Sequence, residues 1–218
     1  MRESNWDQFW VRSKGGRFTR VSWSKIRMEA ILAPHLFPGA RVLDAGCGSG
    51  YFSALFQSKG CRVTTLDASE EALEIARGAT DGKSEAYLRE DLLDESFEER
   101  YRDRFDLAFT DGLFEHFRSD EQARIMNNLS GAIRPGGLIA TFVPNALSWW
   151  TVIRPIFMPG IYEKPFRRSS LLDLHGGLEI VERGGLSVLP FRLSPERALG
   201  ARFGMLIYVL ARKGNGPS

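Results

Sequence analysis

Asp44-Ala45-Gly46-Cys47-Gly48-Ser49-Gly50 sets a carboxylate ahead of three glycines at alternate positions. Val42-Leu43 precedes it and Tyr51-Phe52-Ser53-Ala54-Leu55-Phe56 follows. The stretch reads as a strand, a tight turn and a helix start. Glycine tolerates positive φ and lets a ligand approach the bare backbone. The helix N-terminus adds free N–H groups and partial positive charge. Several nucleotide folds use such a turn. Their phosphate fingerprint is G-x-G-x-x-G, with pyrophosphate on the helix N-terminus. Here the third glycine comes one place early, and Tyr51 fills the expected position. Asp44, two residues before the first glycine, repels a pyrophosphate and suits a cationic ligand without phosphate. No Gly-Lys-Ser/Thr follows, which excludes a Walker A loop.

A second carboxylate, Asp67, ends the β-branched run Val63-Thr64-Thr65-Leu66, 21 residues after Gly46. There it can accept from both ribose hydroxyls, or it can cap the helix that Ala68-Ser69 opens. A third group is Thr110-Asp111-Gly112-Leu113-Phe114-Glu115-His116-Phe117. His116 can act as a general base near neutral pH, with Asp111 and Glu115 as alternatives. A reaction that needs only alignment of the reacting groups requires no base at all.

S-adenosylmethionine carries an ammonium, a sulfonium, a carboxylate and an adenosine, and fits the turn's preference. Val42 to Gly50 resembles motif I of the class I S-adenosylmethionine-dependent methyltransferases. The resemblance covers Arg41 to Val143 well and the terminal regions loosely. It implies that Asp44, Ala45, Gly46, Cys47, Gly48 and Gly50 contact the cofactor. It implies that Asp67, beside Ala68, holds the ribose, and that Asp91 with Leu92 holds the adenine, Glu90 being the competing acid. Thr110 and Asp111 would border the methyl group, in a loop similar to the family segment that ends in a Glu-His pair. The implied reaction is in-line methyl transfer to an oxygen, nitrogen, sulfur or carbon atom of a small-molecule acceptor. A non-catalytic binding protein on the same fold is the alternative. A nicotinamide-dependent oxidoreductase is disfavoured by Asp44 and the displaced glycine. The end of the fourth strand lacks Asn/Asp-Pro-Pro-Tyr/Phe and Pro-Cys, so base-amino and pyrimidine-C5 methylation are not expected. No metal is expected.

These residues need elements to position them. Strands are expected at about 41–44, 63–67, 86–88, 105–110 and 138–143. Helices are expected at about 51–59, from Ser69 to Gly78, and after Ser119-Asp120-Glu121-Gln122, a capping-box pattern. Pro135-Gly136-Gly137 reads as a turn, and the charged run Glu95 to Arg104 as a solvated helix or loop. Ser22 opens a helical pattern with Trp23, Ile26, Ala30 and Ile31 near one face. Alternation of strand and helix implies parallel pairing. A helix at about 169–175 and two closing strands, 178–181 and 203–211, suggest an antiparallel edge. The expected fold is a Rossmann-like three-layer α/β sandwich. Its seven-stranded sheet is mostly parallel, with an antiparallel C-terminal strand.

The length of 218 residues suits one domain. The expected division is an N-terminal helical lid region (1–40), a cofactor-binding core (41–143), a substrate-side insertion (144–175) and C-terminal strands (176–212). Trp149, Trp150 and Tyr162 are expected on the substrate side. The apolar segment around them could line a pocket, pack in the core, form a dimer contact or touch a membrane. A net charge of +2 gives no field for nucleic acid. The polar start Met-Arg-Glu-Ser-Asn-Trp and the two irregularly placed cysteines point to a reduced, cytoplasmic protein, monomeric or homodimeric.

Overall fold

The computed structural model describes residues 3–13, 20–149, 151–152, 163–189 and 194–215. In chain order the elements are α1 (Glu3–Ser13), α2 (Trp23–Leu32), β1 (Arg41–Ala45), α3 (Tyr51–Ser58), β2 (Arg62–Asp67), α4 (Glu70–Ala79) and β3 (Ala86–Arg89). They continue with α5 (Phe97–Tyr101), β4 (Phe105–Asp111), α6 (Ser119–Ala132), β5 (Ile133–Pro144), α7 (Arg168–Leu174), β6 (Glu179–Leu186) and β7 (Leu206–Arg212).

The strands form one sheet in the order β3-β2-β1-β4-β5-β7-β6. The pairs from β3 to β5 are parallel, and β7 runs antiparallel to both neighbours. Adjacent residues face opposite sides, as a pleated strand requires. Leu43, Leu66, Ala108 and Ile139 meet Phe97, Ile125, Leu129 and Leu171 from α5, α6 and α7. Val42, Val63, Leu107 and Phe109 meet Met28, Leu32, Phe52 and Phe56 from α2 and α3. Because β1 to β4 run in parallel, Ala45, Asp67, Arg89 and Asp111 end on one edge of the sheet, where ligands bind in open α/β folds.

Several local expectations are corrected. The antiparallel strand is not the edge: β7 lies between β5 and β6. Its run Leu206-Ile207-Tyr208-Val209-Leu210-Ala211 is buried throughout and needs cover on both sides. The Glu- and Arg-bearing β6 takes the exposed edge, where charge discourages strand addition. Pro135-Gly136-Gly137 lies inside β5, where the register with β4 jumps from Phe105↔Ile133 to Leu107↔Leu138. The expected turn is thus an irregularity within the strand, with Gly136 at a φ of 76°. Arg118 and not Ser119 is the N-cap, and because a guanidinium has no acceptor only the Glu121 half of the expected capping box forms. Glu121 Oε2 accepts from the Arg118 N–H at 2.8 Å, while Gln122 Nε2 donates to the carbonyls of Phe114 and Phe117. The charged run is not simply solvated, since Phe97 and Tyr101 are buried in the core. In α2 the buried face is Met28 and Leu32, and Trp23 and Ile26 are exposed.

Candidate functional site

The turn after β1 has the backbone expected of its glycines. Gly46, Gly48 and Gly50 have φ of 76°, 51° and 72°, a region costly for side chains with a Cβ. The N–H groups of Gly46 and Cys47 both donate to the Leu66 carbonyl at 2.9 Å, which ties the turn to β2. Gly50 caps α3. A Cβ on Gly46 would come 3.0 Å from Leu113 Cδ1, and one on Gly48 would come 2.9 Å from Trp10 Cζ2. Leu113 and Trp10 therefore lie directly on the bare backbone. Ala45 and Cys47 are buried, and burial pushes the Cys47 thiol well up.

Asp67 closes the turn from the side. Its Oδ2 accepts from the Gly48 N–H at 2.9 Å and its Oδ1 from the Ser69 N–H at 3.0 Å. The cap reading is borne out at Ser69, and the same carboxylate also braces the glycine turn. Burial pushes the Asp67 carboxyl up, opposed by the N–H groups of Ser69, Gly48 and Ala68. Ser69 caps α4 by accepting from the Ala72 N–H, and its hydroxyl donates to Asp7 of α1. So α1 lies across the site: Asp7 meets Ser69, Trp10 covers Gly48, and the Trp6 and His116 rings meet at near right angles with centroids 4.7 Å apart.

Asp44 and Asp111 stand on the α2/α3 side of the sheet. Asp44 is almost fully buried, and its Oδ2 accepts from Ser53 Oγ at 2.6 Å. Burial raises its carboxyl to about 7, the Ser53 hydroxyl opposes this, and the charges of Asp111 and Asp67 add to it. Burial raises Asp111 to about 6, and Lys25 of α2 opposes that rise. Lys25 is itself held down to about 8 by burial; it donates to the Arg20 carbonyl and lies 3.8 Å over the Tyr51 ring. A pyrophosphate here would meet three carboxylates. A cationic, phosphate-free ligand would relieve their repulsion, so this donor set fits S-adenosylmethionine better than a dinucleotide.

At the end of β3 the two candidate acids separate. Glu90 Oε1 accepts from Arg100 at 2.7 Å and from the Tyr101 hydroxyl at 3.0 Å, and is committed to packing α5. Asp91 is exposed, its Oδ1 accepting from the Leu93 N–H, beside a buried Leu92. Thr110 is wholly buried, and Glu115 and His116 are buried in the 3-10 turn after β4. His116 Nε2 lies 3.8 Å from Glu115 Oε1, and the Glu115 carbonyl accepts from the Lys164 N–H. Trp149 Nε1 donates to the Val188 carbonyl at 2.9 Å, just past the end of β6. Trp150 and Tyr162 lie outside the described residues.

Ser53, Lys25 and Asp7 were not singled out from sequence, whereas Trp6 and Trp10 belong to the aromatic N-terminus that the sequence marks as a lid. Trp10 follows Trp6 by four residues and Asp7 by three, the separations that bring side chains together on a helix, and this could have revealed α1. Lys25 carries no local signal.

A family profile described as "Methyltransferase domain" matches residues 17–185. A ubiquinone biosynthesis O-methyltransferase of Proteus mirabilis is 29% identical over 53% of this chain and 47% of its own length, so the chain spans about half of that relative. The Xylella fastidiosa protein of the same name is 27% identical over 88% of this chain and 84% of its own. The crystal structure of the N-methyltransferase NodS from Bradyrhizobium japonicum with S-adenosyl-L-homocysteine superposes with a TM-score of 0.61. It is 17% identical and covers 85% of this chain and 83% of its own, and so shows a common fold. The profile extends over well beyond half of the 218 residues and includes the whole glycine turn and the sheet edge; the chain belongs to the class I S-adenosylmethionine-dependent methyltransferase family.

Proposed function

We propose that this chain moves a methyl group from S-adenosylmethionine to a small organic acceptor. The carrying observation is the backbone cradle of left-handed glycines ringed by Asp44, Asp67 and Asp111. When bound, the cofactor supplies an electron-poor methyl group on a sulfonium. Asp67, already oriented by two N–H groups, receives the ribose hydroxyls next to Ala68. Asp91 and Leu92 receive the adenine. Asp44 and Asp111 face the ammonium, and Ala45, Gly46, Cys47, Gly48 and Gly50 provide the backbone, with Thr110 supporting the strand end. The acceptor enters beside Asp111, Glu115 and His116, where His116 takes its proton as the methyl is transferred. Helix α1, within the 1–40 region, acts as a lid that excludes water and aligns the acceptor. Trp149, Trp150 and Tyr162 shape the acceptor side. An oxygen nucleophile is the first acceptor class to test, since the two curated relatives described above are O-methyltransferases. No helix among the described residues is long and apolar enough to cross a membrane. Two free buried cysteines support a reduced, cytoplasmic setting.

Calorimetry with S-adenosylmethionine, S-adenosylhomocysteine and NAD tests the cofactor assignment. Binding of the first two and none of NAD is expected; tight NAD binding with no response to S-adenosylhomocysteine overturns it. Incubation with methyl-labelled cofactor and a panel of phenols, carboxylic acids and amines then tests turnover.

A further inference from the structure

Three polar side chains stand in lateral register on one face of the sheet. Asp44 of β1 pairs with Thr65 of β2, and Thr65 with Tyr87 of β3. Two serines fill the gaps between them. Ser53 of α3 donates to Asp44 Oδ2 at 2.6 Å, and Thr65 Oγ1 donates to Ser53 Oγ at 3.0 Å. Ser84 Oγ lies 2.7 Å from Thr65 Oγ1. Each hydroxyl has a single proton. That of Thr65 is spent on Ser53, so Ser84 is the donor to Thr65. Ser84 in turn accepts from Gln57 Nε2 at 2.9 Å. Every donor from Gln57 to Ser53 thus points toward Asp44. Thr65 and Ser53 are fully buried, whereas Ser84 and Gln57 lie at the half-buried outer end.

We propose that Ser53, Thr65 and Ser84 are positioning residues that hold Asp44 as an oriented carboxylate for the cofactor's ammonium. This rests on the cofactor reading above. Burial opposes ionisation of Asp44, as do the carboxylates of Asp67 on β2 and Asp111 on β4. Among the described residues, α2 contributes Lys25, which acts on Asp111; the glycine turn contributes the neutral Cys47 thiol; and α3 contributes the Ser53 hydroxyl. A chain of donors with one direction polarises each hydroxyl further and strengthens the last bond, the one to the carboxylate. Weakening it raises the proton affinity of Asp44, and a protonated Asp44 no longer attracts a cation.

The test is the pH profile of S-adenosylhomocysteine affinity, measured by calorimetry on wild type, Thr65→Val, Thr65→Ser and Ser84→Ala. Valine keeps the shape and burial of Thr65 and removes only the hydroxyl. Near pH 6.5, Thr65→Val is expected to bind about fivefold more weakly than wild type, the worth of one net hydrogen bond. The difference should shrink to less than about twofold near pH 8.5, where Asp44 ionises in both proteins. Thr65→Ser should restore the wild-type profile. Ser84→Ala, at the half-buried outer end of the row, should shift it in the same direction by less. A purely structural role would lower affinity equally at all pH values, and that result, or an unchanged profile in both hydroxyl-deleting variants, overturns the proposal. Wild type that binds no S-adenosylhomocysteine at any pH would instead overturn the cofactor reading itself.

Discussion

Alanine at Gly39, Gly50 and Gly48 separates backbone strain from lack of space and from ligand access. Gly39 has a φ of 85° with nothing within 4 Å of an added Cβ. Only the left-handed penalty applies there, roughly 1–2 kcal/mol. Gly50 has a φ of 72°, and its Cβ would lie 2.6 Å from Ala76 Cα and 2.7 Å from Ala76 Cβ. Because the obstacle is the backbone of α4, a packing cost of about 1–3 kcal/mol adds to the strain, giving roughly 2–5 kcal/mol in all. The stiffer unfolded chain offsets each value by about 0.5 kcal/mol. For 218 residues the unfolding entropy is roughly 0.46 kcal/mol per degree, so 1 kcal/mol is about 2 °C in Tm. Circular dichroism melting should show losses of about 1–3 °C for Gly39→Ala and about 3–9 °C for Gly50→Ala. At Gly48 the obstacle is the far edge of the Trp10 ring at 2.9 Å, a side chain and not backbone. Gly48→Ala should therefore melt about as Gly39→Ala does, change tryptophan fluorescence, and lose at least about tenfold in S-adenosylhomocysteine affinity by crowding the cradle. Equal melting losses at Gly39 and Gly50 would falsify the packing argument. Unaltered fluorescence and affinity in Gly48→Ala would remove the turn from the site.

Asp67→Ala should weaken cofactor binding by at least about tenfold, the loss of a hydrogen bond to a charged acceptor. It should also cost about 1–3 kcal/mol of stability, because the Gly48 and Ser69 N–H groups lose their acceptor; a variant with native melting and native affinity refutes both parts. The carboxyls of Asp111 and Asp44 are raised to about 6 and about 7 in the folded protein. Their contribution to stability is therefore fully present only below the unfolded value of 3.8 and is lost as pH rises through the folded values. Without ligand, Tm should fall between pH about 5 and 8, while the Tm gain from S-adenosylhomocysteine should grow; a ligand-induced gain that shrinks over this range contradicts the assignment of both acids to the ammonium. Deleting residues 1–20 should reduce methyl transfer more than Tm and remove a ligand-dependent fluorescence change from Trp6 and Trp10, and wild-type turnover by the truncated chain would eliminate α1 as a lid.

The glycine turn, the acid at the end of β2, the strand–helix alternation and the Ser22 and Ser69 caps were legible in the sequence. Each depends on a chain conformation that neighbouring residues dictate: positive φ at Gly46, Gly48 and Gly50, β-branched side chains in Val63-Thr64-Thr65, a hydroxyl at a helix start. Tertiary structure alone decided what happens through space. The lateral row Asp44, Thr65, Tyr87 exists because three separate strands share one register, and a shift of one residue would turn Thr65 to the other face. The placement of β7 inside the sheet follows from its need for cover on both sides, a fact about its neighbours. Trp10 on Gly48, Asp7 on Ser69 and Lys25 near Asp111 join positions far apart in the chain. Such contacts leave no local period or spacing, because packing, burial and Coulomb energy depend on distance after folding and not on order along the chain.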